Sequence, residues 1–322
     1  MKFIAVMFQT RLGKTVVHSI DSFSMLILTL TGRVQMSKPI FVWMKSIKFS
    51  ANLPTANCEF IASNNLVSAI TSADIARNCK VAYGLAQIIA SHDYHGNTVV
   101  CTIKTIPTRC SEQQYSQMIG LVNELKESLV GRFLRLLSFV TIDELQPFTD
   151  FILNKEDILK LFMSSEASFK HHHCYKGGLF EHSIEVAEMT YQNAKHLGHS
   201  DVECQIGLIA ALFHDIGKIY PALNMKNNKY CAGPHESYAF ALLAKPLGEL
   251  GTLNSRVFSM LSDLLAIKPY GHKARYAIEH VLKQADRTSA ESNFAKTQFK
   301  TLPSHYYFTK VDGSVIYRLN SL

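Results

Sequence analysis

The sequence predicts a mainly α protein, with an all-α helical core in its C-terminal half preceded by a small β-rich domain. Three observations carry this expectation. Apolar residues recur at three- and four-residue spacing from about Ser111 onward, as amphipathic helices require. Short runs of β-branched and aromatic residues fill the stretch from Phe41 to Thr105. The composition, 47% hydrophobic and 18% charged over 322 residues, is that of a globular chain long enough for two domains.

Residues 1–35 have no clear periodicity and are treated as an uncertain N-terminal extension. Their longest apolar stretch, residues 24–31 (SMLILTLT), is too short to span a bilayer, and no small-residue cleavage site follows a basic start. The chain is therefore expected to be neither secreted nor membrane-spanning. Residues 36–108 form the β-rich domain. Within it, residues 81–90 (VAYGLAQIIA) and 98–106 (TVVCTIKTI) read as strands, and the His-Gly-Asn end of residues 91–97 (SHDYHGN) as a hairpin turn.

After Pro107 the period changes, and residues 111–138 and 142–163 read as amphipathic helices in a connector over 109–165. Residues 166–295 form the helical core. Gly198 is placed to end one helix there and Ser200 to cap the next. A C-terminal extension, 296–322, closes with a short hairpin around Asp312-Gly313 in residues 305–317 (HYYFTKVDGSVIY).

The net charge of +7 would favour polyanions such as nucleic acid, although no dense Lys/Arg run marks a docking strip and a merely basic protein is the plainer account. The seven cysteines are scattered, odd in number and form no CxxC pair. Neither a zinc ribbon nor a disulfide framework is indicated, so a reducing cytoplasm is expected.

Three separated segments carry chemistry. Residues 171–183 (HHHCYKGGLFEHS) lead through Gly177-Gly178 into a helix with His182 in its first turn. The glycines allow a close backbone approach. Residues 208–219 (LIAALFHDIGKI) form an apolar helix that ends in His214 and Asp215, followed by Gly217 and Lys218. Residues 283–289 (KQADRTS) place Asp286 on a late helix.

Two imidazoles and two carboxylates suit a divalent ion such as Mn²⁺, Fe²⁺, Ni²⁺ or Zn²⁺, with Mg²⁺ disfavoured by its preference for oxygen. Such an ion acidifies water and polarises a phosphoryl oxygen, which is what phosphoester hydrolysis needs. Neighbouring residues on an α-helix point roughly 100° apart, so the doublet can serve one ion only where helical geometry relaxes. Asp215 and Lys218 are the candidate catalytic groups, Lys218 by neutralising a substrate phosphate; a surface lysine at a helix end is the alternative.

The pattern of one histidine, a His-Asp doublet in the context AALFHDIGK and a distant aspartate resembles the HD superfamily of phosphohydrolases over residues 155–290. The resemblance implies that His182, His214, Asp215 and Asp286 ligate metal. The stretch HHHCYKGGLFEHS is similar to two subgroups, the YhaM-type 3′-to-5′ exoribonucleases and the TraI-type domains associated with conjugative relaxases. The first implies an OB-like fold for the β-rich domain and single-stranded RNA or DNA as partner. His235 (in KYCAGPHES) is a candidate ligand for a second ion, with His272 as a substitute where a His-His-Gly run is expected, so one or two ions are anticipated. His172, His173 and Arg287 are candidate substrate-binding residues, against a polar loop for the histidines and a pairing of Arg287 with Asp286.

Met36 (MSKPIFVWMKSIKF) offers a second translation start. Native protein is expected to begin there, which peptides from residues 1–35 in a mass-spectrometric digest would refute.

Overall fold

The computed structural model describes residues 5–9, 15–19, 38–62, 65–79, 83–93, 95–122, 126–168, 171–224, 233–311 and 313–319. Met36, Tyr94, Cys231 and Asp312 lie outside them. The chain divides into two compact units, Met1–Glu112 and Gln113–Leu322.

In the first unit, β1 (Ala5–Gln9) and β2 (Thr15–Ser19) pair antiparallel, a hairpin the sequence did not suggest. Five further strands close into a barrel: β3 (Ile40–Phe49), β4 (Thr55–Ala62), β5 (Asn65–Ser72), β6 (Gly84–His92) and β7 (Thr98–Thr105). Around the barrel the order is β3-β4-β5-β7-β6. β3 holds it together, because its first half pairs with β6 (Ile40 with Ile88) and its second with β4 (Phe49 with Ala56). A register shift between Met44 and Ser46 bends the strand so that it can serve both neighbours. Parallel pairing of β5 with β7 closes the ring, and a short helix, α1 (Ala73–Asn78), joins β5 to β6.

Alternation along the strands turns Val42, Met44, Cys58, Phe60, Ile88 and Val100 inward to form the barrel core. The expected hairpin between β6 and β7 is present, but Asp93 organises its turn. The Asp93 carboxylate accepts from the backbone N–H groups of His95 and Asn97, and Gly96 supplies the positive φ. His92 pairs with Thr98 at the strand end and His95 is exposed in the turn.

In the second unit, each long amphipathic stretch is two helices rather than one. The first gives α2 (Glu112–Leu121) and α3 (Glu127–Leu137); the second gives α4 (Gln146–Asn154) and α5 (Glu156–Ser164). Pro147 starts α4, and Lys155, at φ −104° and ψ 83°, breaks the path between α4 and α5.

The helical core follows: α6 (Gly178–His196), α7 (Asp201–Phe213), α8 (Tyr220–Asn224), α9 (His235–Leu242), α10 (Ala244–Leu253), α11 (Ser255–Leu265) and α12 (Ile278–Phe299). Gly198, at φ +81°, lies just past the end of α6. Ser200 caps α7 in a reciprocal capping box with Glu203.

α7 is the hub. Every residue from Cys204 to Phe213 is buried, and the helix packs against α6, α11 and α12. The run Asp201–Leu223 is long and apolar enough to cross a membrane by length and composition, yet 67% of the window is buried among the other helices. Gly207 sits where three helices meet. A Cβ there would lie 2.5 Å from Ile278 Cδ1 of α12 and 3.4 Å from Thr190 Cγ2 of α6.

The C-terminal hairpin pairs β8 (Phe308–Val311) with β9 (Ser314–Tyr317), with Gly313 at φ +81° in the turn. Arg318 ties it to the end of α12 by donating to the carbonyls of Phe299, Pro303 and Tyr306.

The capping box gives a direct stability test. Ser200→Ala should cost about 1 kcal/mol in urea denaturation followed by far-ultraviolet circular dichroism. A change below about 0.3 kcal/mol would mean that α7 is held by its apolar packing alone.

Candidate metal centre

The site begins in the loop that enters α6. His173 adopts φ +49°, uncommon for a residue with a side chain, and its backbone N–H donates to Asn293 Oδ1 at 2.7 Å. The loop folds back so tightly that a Cβ on Gly178 would lie 2.0 Å from the His173 carbonyl oxygen. Gly177, at φ +81°, makes the turn. The two glycines thus let the backbone pass close, as expected, and what passes is the histidine loop. It brings the rings of His172 and His173 each to 5.2 Å from that of His182.

His182 is the fifth residue of α6, slightly deeper than the first turn expected, and is fully buried. Its Nδ1 lies 3.0 Å from Ser289 Oγ, and Ser289 donates its own hydroxyl proton to Glu185 Oε2 at 2.7 Å. The serine oxygen must therefore accept, so His182 carries its proton on Nδ1 and leaves Nε2 bare. Glu185 also faces His173 Nε2 at 3.4 Å. Burial alone would raise the Glu185 carboxyl, but hydrogen bonds from His173 and Ser289 hold it below the usual range.

α7 ends at Phe213, and the chain tightens into a 3₁₀ turn at Ile216–Ile219. This relaxation is what the adjacent His-Asp pair requires. His214 Nδ1 lies 2.8 Å from the Ala211 carbonyl oxygen, which can only accept, so this ring also carries its proton on Nδ1.

Both Nε2 atoms are buried without a hydrogen-bond partner, and both face the same carboxylates. Asp215 Oδ2 is 3.6 Å from His182 Nε2 and 3.4 Å from His214 Nε2, and Asp286 Oδ1 is 3.1 and 3.7 Å from the same atoms. Ligands about 2.1 Å from one ion sit roughly 3.0 to 3.5 Å apart in octahedral or tetrahedral arrangement, so the spacing suits a divalent cation. Donor atoms of His182, His214 and Asp215 all lie within 4.8 Å of one another, and Asp286 adds its oxygen from the more open side.

Charge is unevenly shared. Burial lowers His182, keeping it neutral. Burial acts the same way on His214, but the charges of Asp215 and Asp286 overcome it and raise that imidazole to about 9. Asp215 is held well below the ordinary carboxylate range: burial opposes ionisation, but His214, His235, Lys218 and His182 outweigh it. Asp286 is depressed likewise by the two ring nitrogens.

Lys218 Nζ lies 2.6 Å from Asp215 Oδ2, and His235 Nε2 lies 2.9 Å from Asp215 Oδ1. Gly217 is the reason His235 can come so near. A Cβ at that position would fall 1.7 Å from the His235 carbonyl oxygen and 2.6 Å from the Ala239 nitrogen. The glycine is thus needed for the seating of α9 rather than for the helix end alone.

A cavity of about 410 Å³ opens onto His214, Asp215 and Asp286, and His172, Lys218, His235, Lys268 and Lys283 line its walls. His172 is lowered to about 4, chiefly by burial, and is uncharged near neutral pH.

Three candidates depart from expectation. His173 is fully buried against Glu185, so it has no face for substrate and acts instead in holding the loop. Arg287 is exposed and pairs with Glu291 at 2.7 Å, touching neither Asp286 nor the cavity. His272 does not reach the four ligands. Its Nε2 lies 3.3 Å from the buried Glu279, in a cluster with Asp263 where Lys268 Nζ, 2.9 Å from Asp263 Oδ2, already provides a cation. Sequence reasoning missed Ser289 and Glu185, although both stand three residues from a ligand on the same helix, the spacing that places side chains on one face.

Residues 179–291 match the family model of the HD domain, a span that holds His182, His214, Asp215, His235 and Asp286 but not the histidine loop or the barrel. No curated protein and no solved structure matches the chain.

A cation entering the site must displace the proton that His214 retains up to about pH 9. Divalent-ion affinity should therefore rise by about tenfold per pH unit from pH 7 and level off above about 9, with one proton released per ion at pH 7. Titration calorimetry in buffers of different ionisation enthalpy checks this. Affinity independent of pH between 7 and 9 would show that His214 is already neutral.

Proposed function

We propose that this chain is a metal-dependent phosphohydrolase that cleaves phosphodiester bonds of single-stranded nucleic acid, as a 3′-to-5′ exonuclease. The observation that carries the proposal is the pair of buried imidazole Nε2 atoms, without hydrogen-bond partners, that face two carboxylates beside a lysine-lined cavity. A divalent cation bound there supplies Lewis-acid polarisation of a phosphoryl oxygen and lowers the pKa of water.

The protein groups divide the remaining work. His182, His214, Asp215 and Asp286 hold the ion, and Ser289 and Glu185 fix the orientation of His182. Lys218 reaches the cavity beside Asp215 and offers its ammonium to phosphate oxygens. His172, uncharged and lining the same cavity, is positioned to accept a proton or to donate one to a phosphate oxygen, according to its tautomer. Asp215 turns its second oxygen to His235, which supports His235 as ligand to a further ion. Lys218 and Lys268 nevertheless stand as cations beside the site, which favours one ion with lysines supplying the additional charge.

The barrel supports a nucleic-acid substrate. Its strand order, with a helix between the third and fourth barrel strands in chain order, supports the OB-like reading, and an OB fold binds oligonucleotides across its second and third strands. A groove of about 610 Å³ lies on that face, lined by Lys48, Asn57, Ser68 and Asn97 among others. The net charge of +7 acts in the same direction, and the scattered cysteines, with no CxxC pair, suit a reducing cytoplasm. A small nucleotide is the second reading of the substrate, favoured by a 410 Å³ cavity of the size that encloses one such ligand.

End-labelled single-stranded RNA and DNA, incubated with Mn²⁺, Mg²⁺, Ni²⁺ or chelator, test the proposal. Wild type should give a metal-dependent ladder shortened from the 3′ end, and His214→Ala/Asp215→Ala should lose at least about a thousandfold in rate. Strands left intact in every metal would refute the nuclease reading, and turnover of mononucleotides alone would favour the second.

A further inference from the structure

A second cavity of about 720 Å³ adjoins the first and differs from it in character. Ala167, Pro221, Ala222, Pro234 and Tyr238 line it. It shares His172, Lys218 and His235 with the polar cavity, whereas His214, Asp215 and Asp286 line the polar one alone. Those three shared residues form a divide. A phosphate set against Lys218 on the polar side would have one substituent directed across it into the apolar side.

We infer that the apolar compartment is a nucleobase subsite, so that the site selects phosphates that carry a nucleoside. The inference rests on the phosphodiester reading above for the position of the phosphate, and on the compartment itself for the base.

An aromatic pair forms part of the wall. The Tyr238 ring stacks on Tyr220 at 4.6 Å and 5°, and the Tyr238 hydroxyl accepts from the Gly233 N–H at 2.7 Å. Such a surface suits a flat, largely apolar ring, since base–aromatic contact does not depend on base identity. The polar cavity is lined by Lys268 and Lys283 as well as Lys218, surroundings that favour an anion over a neutral base. Ser165 and Glu166, which also line the apolar compartment, offer hydrogen-bond partners that a base edge can use and an alkyl chain cannot.

The test compares binding of adenosine 5′-monophosphate with that of methyl phosphate to the Mn²⁺-loaded protein by calorimetry. The nucleotide should bind more tightly by roughly 5- to 150-fold, the range for one base stacked on an aromatic wall. Ala222→Trp, at an exposed position and filling the compartment, and Tyr238→Ala, removing the ring, should each cut that preference to within about threefold, while Tyr238→Phe keeps it. Equal binding of the two ligands in wild type, no nucleotide binding at millimolar concentration, or a preference that survives Ala222→Trp would overturn the inference. Binding is read without turnover. A preference that behaves as expected in a protein that cleaves no strand would sustain the subsite and defeat the exonuclease reading; strand cleavage with equal binding would do the reverse.

Discussion

Everything at the site depends on where two protons sit. His182 donates a hydrogen bond from its Nδ1–H to Ser289, and His214 donates one from its own to the Ala211 carbonyl. Each ring thereby turns its Nε2 toward Asp215 and Asp286, His182 as a neutral imidazole and His214 with a proton there that a cation would displace. In an interior where a polar atom left without a partner costs on the order of 1–3 kcal/mol, both nitrogens stand where one cation could join them to the two carboxylates. The buried relay to Glu185 fixes the direction of these hydrogen bonds, since an ionised carboxylate accepts only, and the neighbours of Glu185 keep it ionised.

Backbone contacts set the positions of these rings as firmly as side chains do. The histidine loop reaches His182 because Gly178 presents no Cβ to the His173 carbonyl, and His235 reaches Asp215 because Gly217 presents none to α9. Two of the approaches to the centre are therefore made by carbonyl groups resting where a methyl group would otherwise be. The end of α7 contributes the third adjustment, releasing Asp215 from helical geometry so that it can stand beside its neighbour in sequence.

The helical half was largely legible in the sequence because its signals are local: apolar spacing, Gly198 past one helix, Ser200 capping the next, and a doublet at a helix end. The four candidate ligands were legible as an ordered set, and the fold brings them to one place. Breaks inside the two amphipathic stretches were not, because the apolar spacing continues through them, as it does across Lys155 where the backbone turns. His173 and Arg287 misled for a related reason: sequence shows a histidine cluster, or an arginine next to Asp286, but not the direction each side chain points. Lys268 and Glu279 escaped notice because neither belongs to a motif, and only folding brings them to the cavity wall. The barrel was legible as strands, while its closure depends on the β5–β7 pairing of residues nearly thirty positions apart, for which no short-range signal exists.

Gly207 lies about two helical turns before His214, where α6, α7 and α12 come together. Those helices carry or lead to His182, His214 and Asp286, so part of the packing that places the candidate donors is made at a residue with no side chain. A methyl group at this point would touch no candidate ligand; it would force the flexible end of Ile278 to turn aside inside a close-packed interior. Smallness at a position with no chemistry of its own thus belongs to the same packing as the centre.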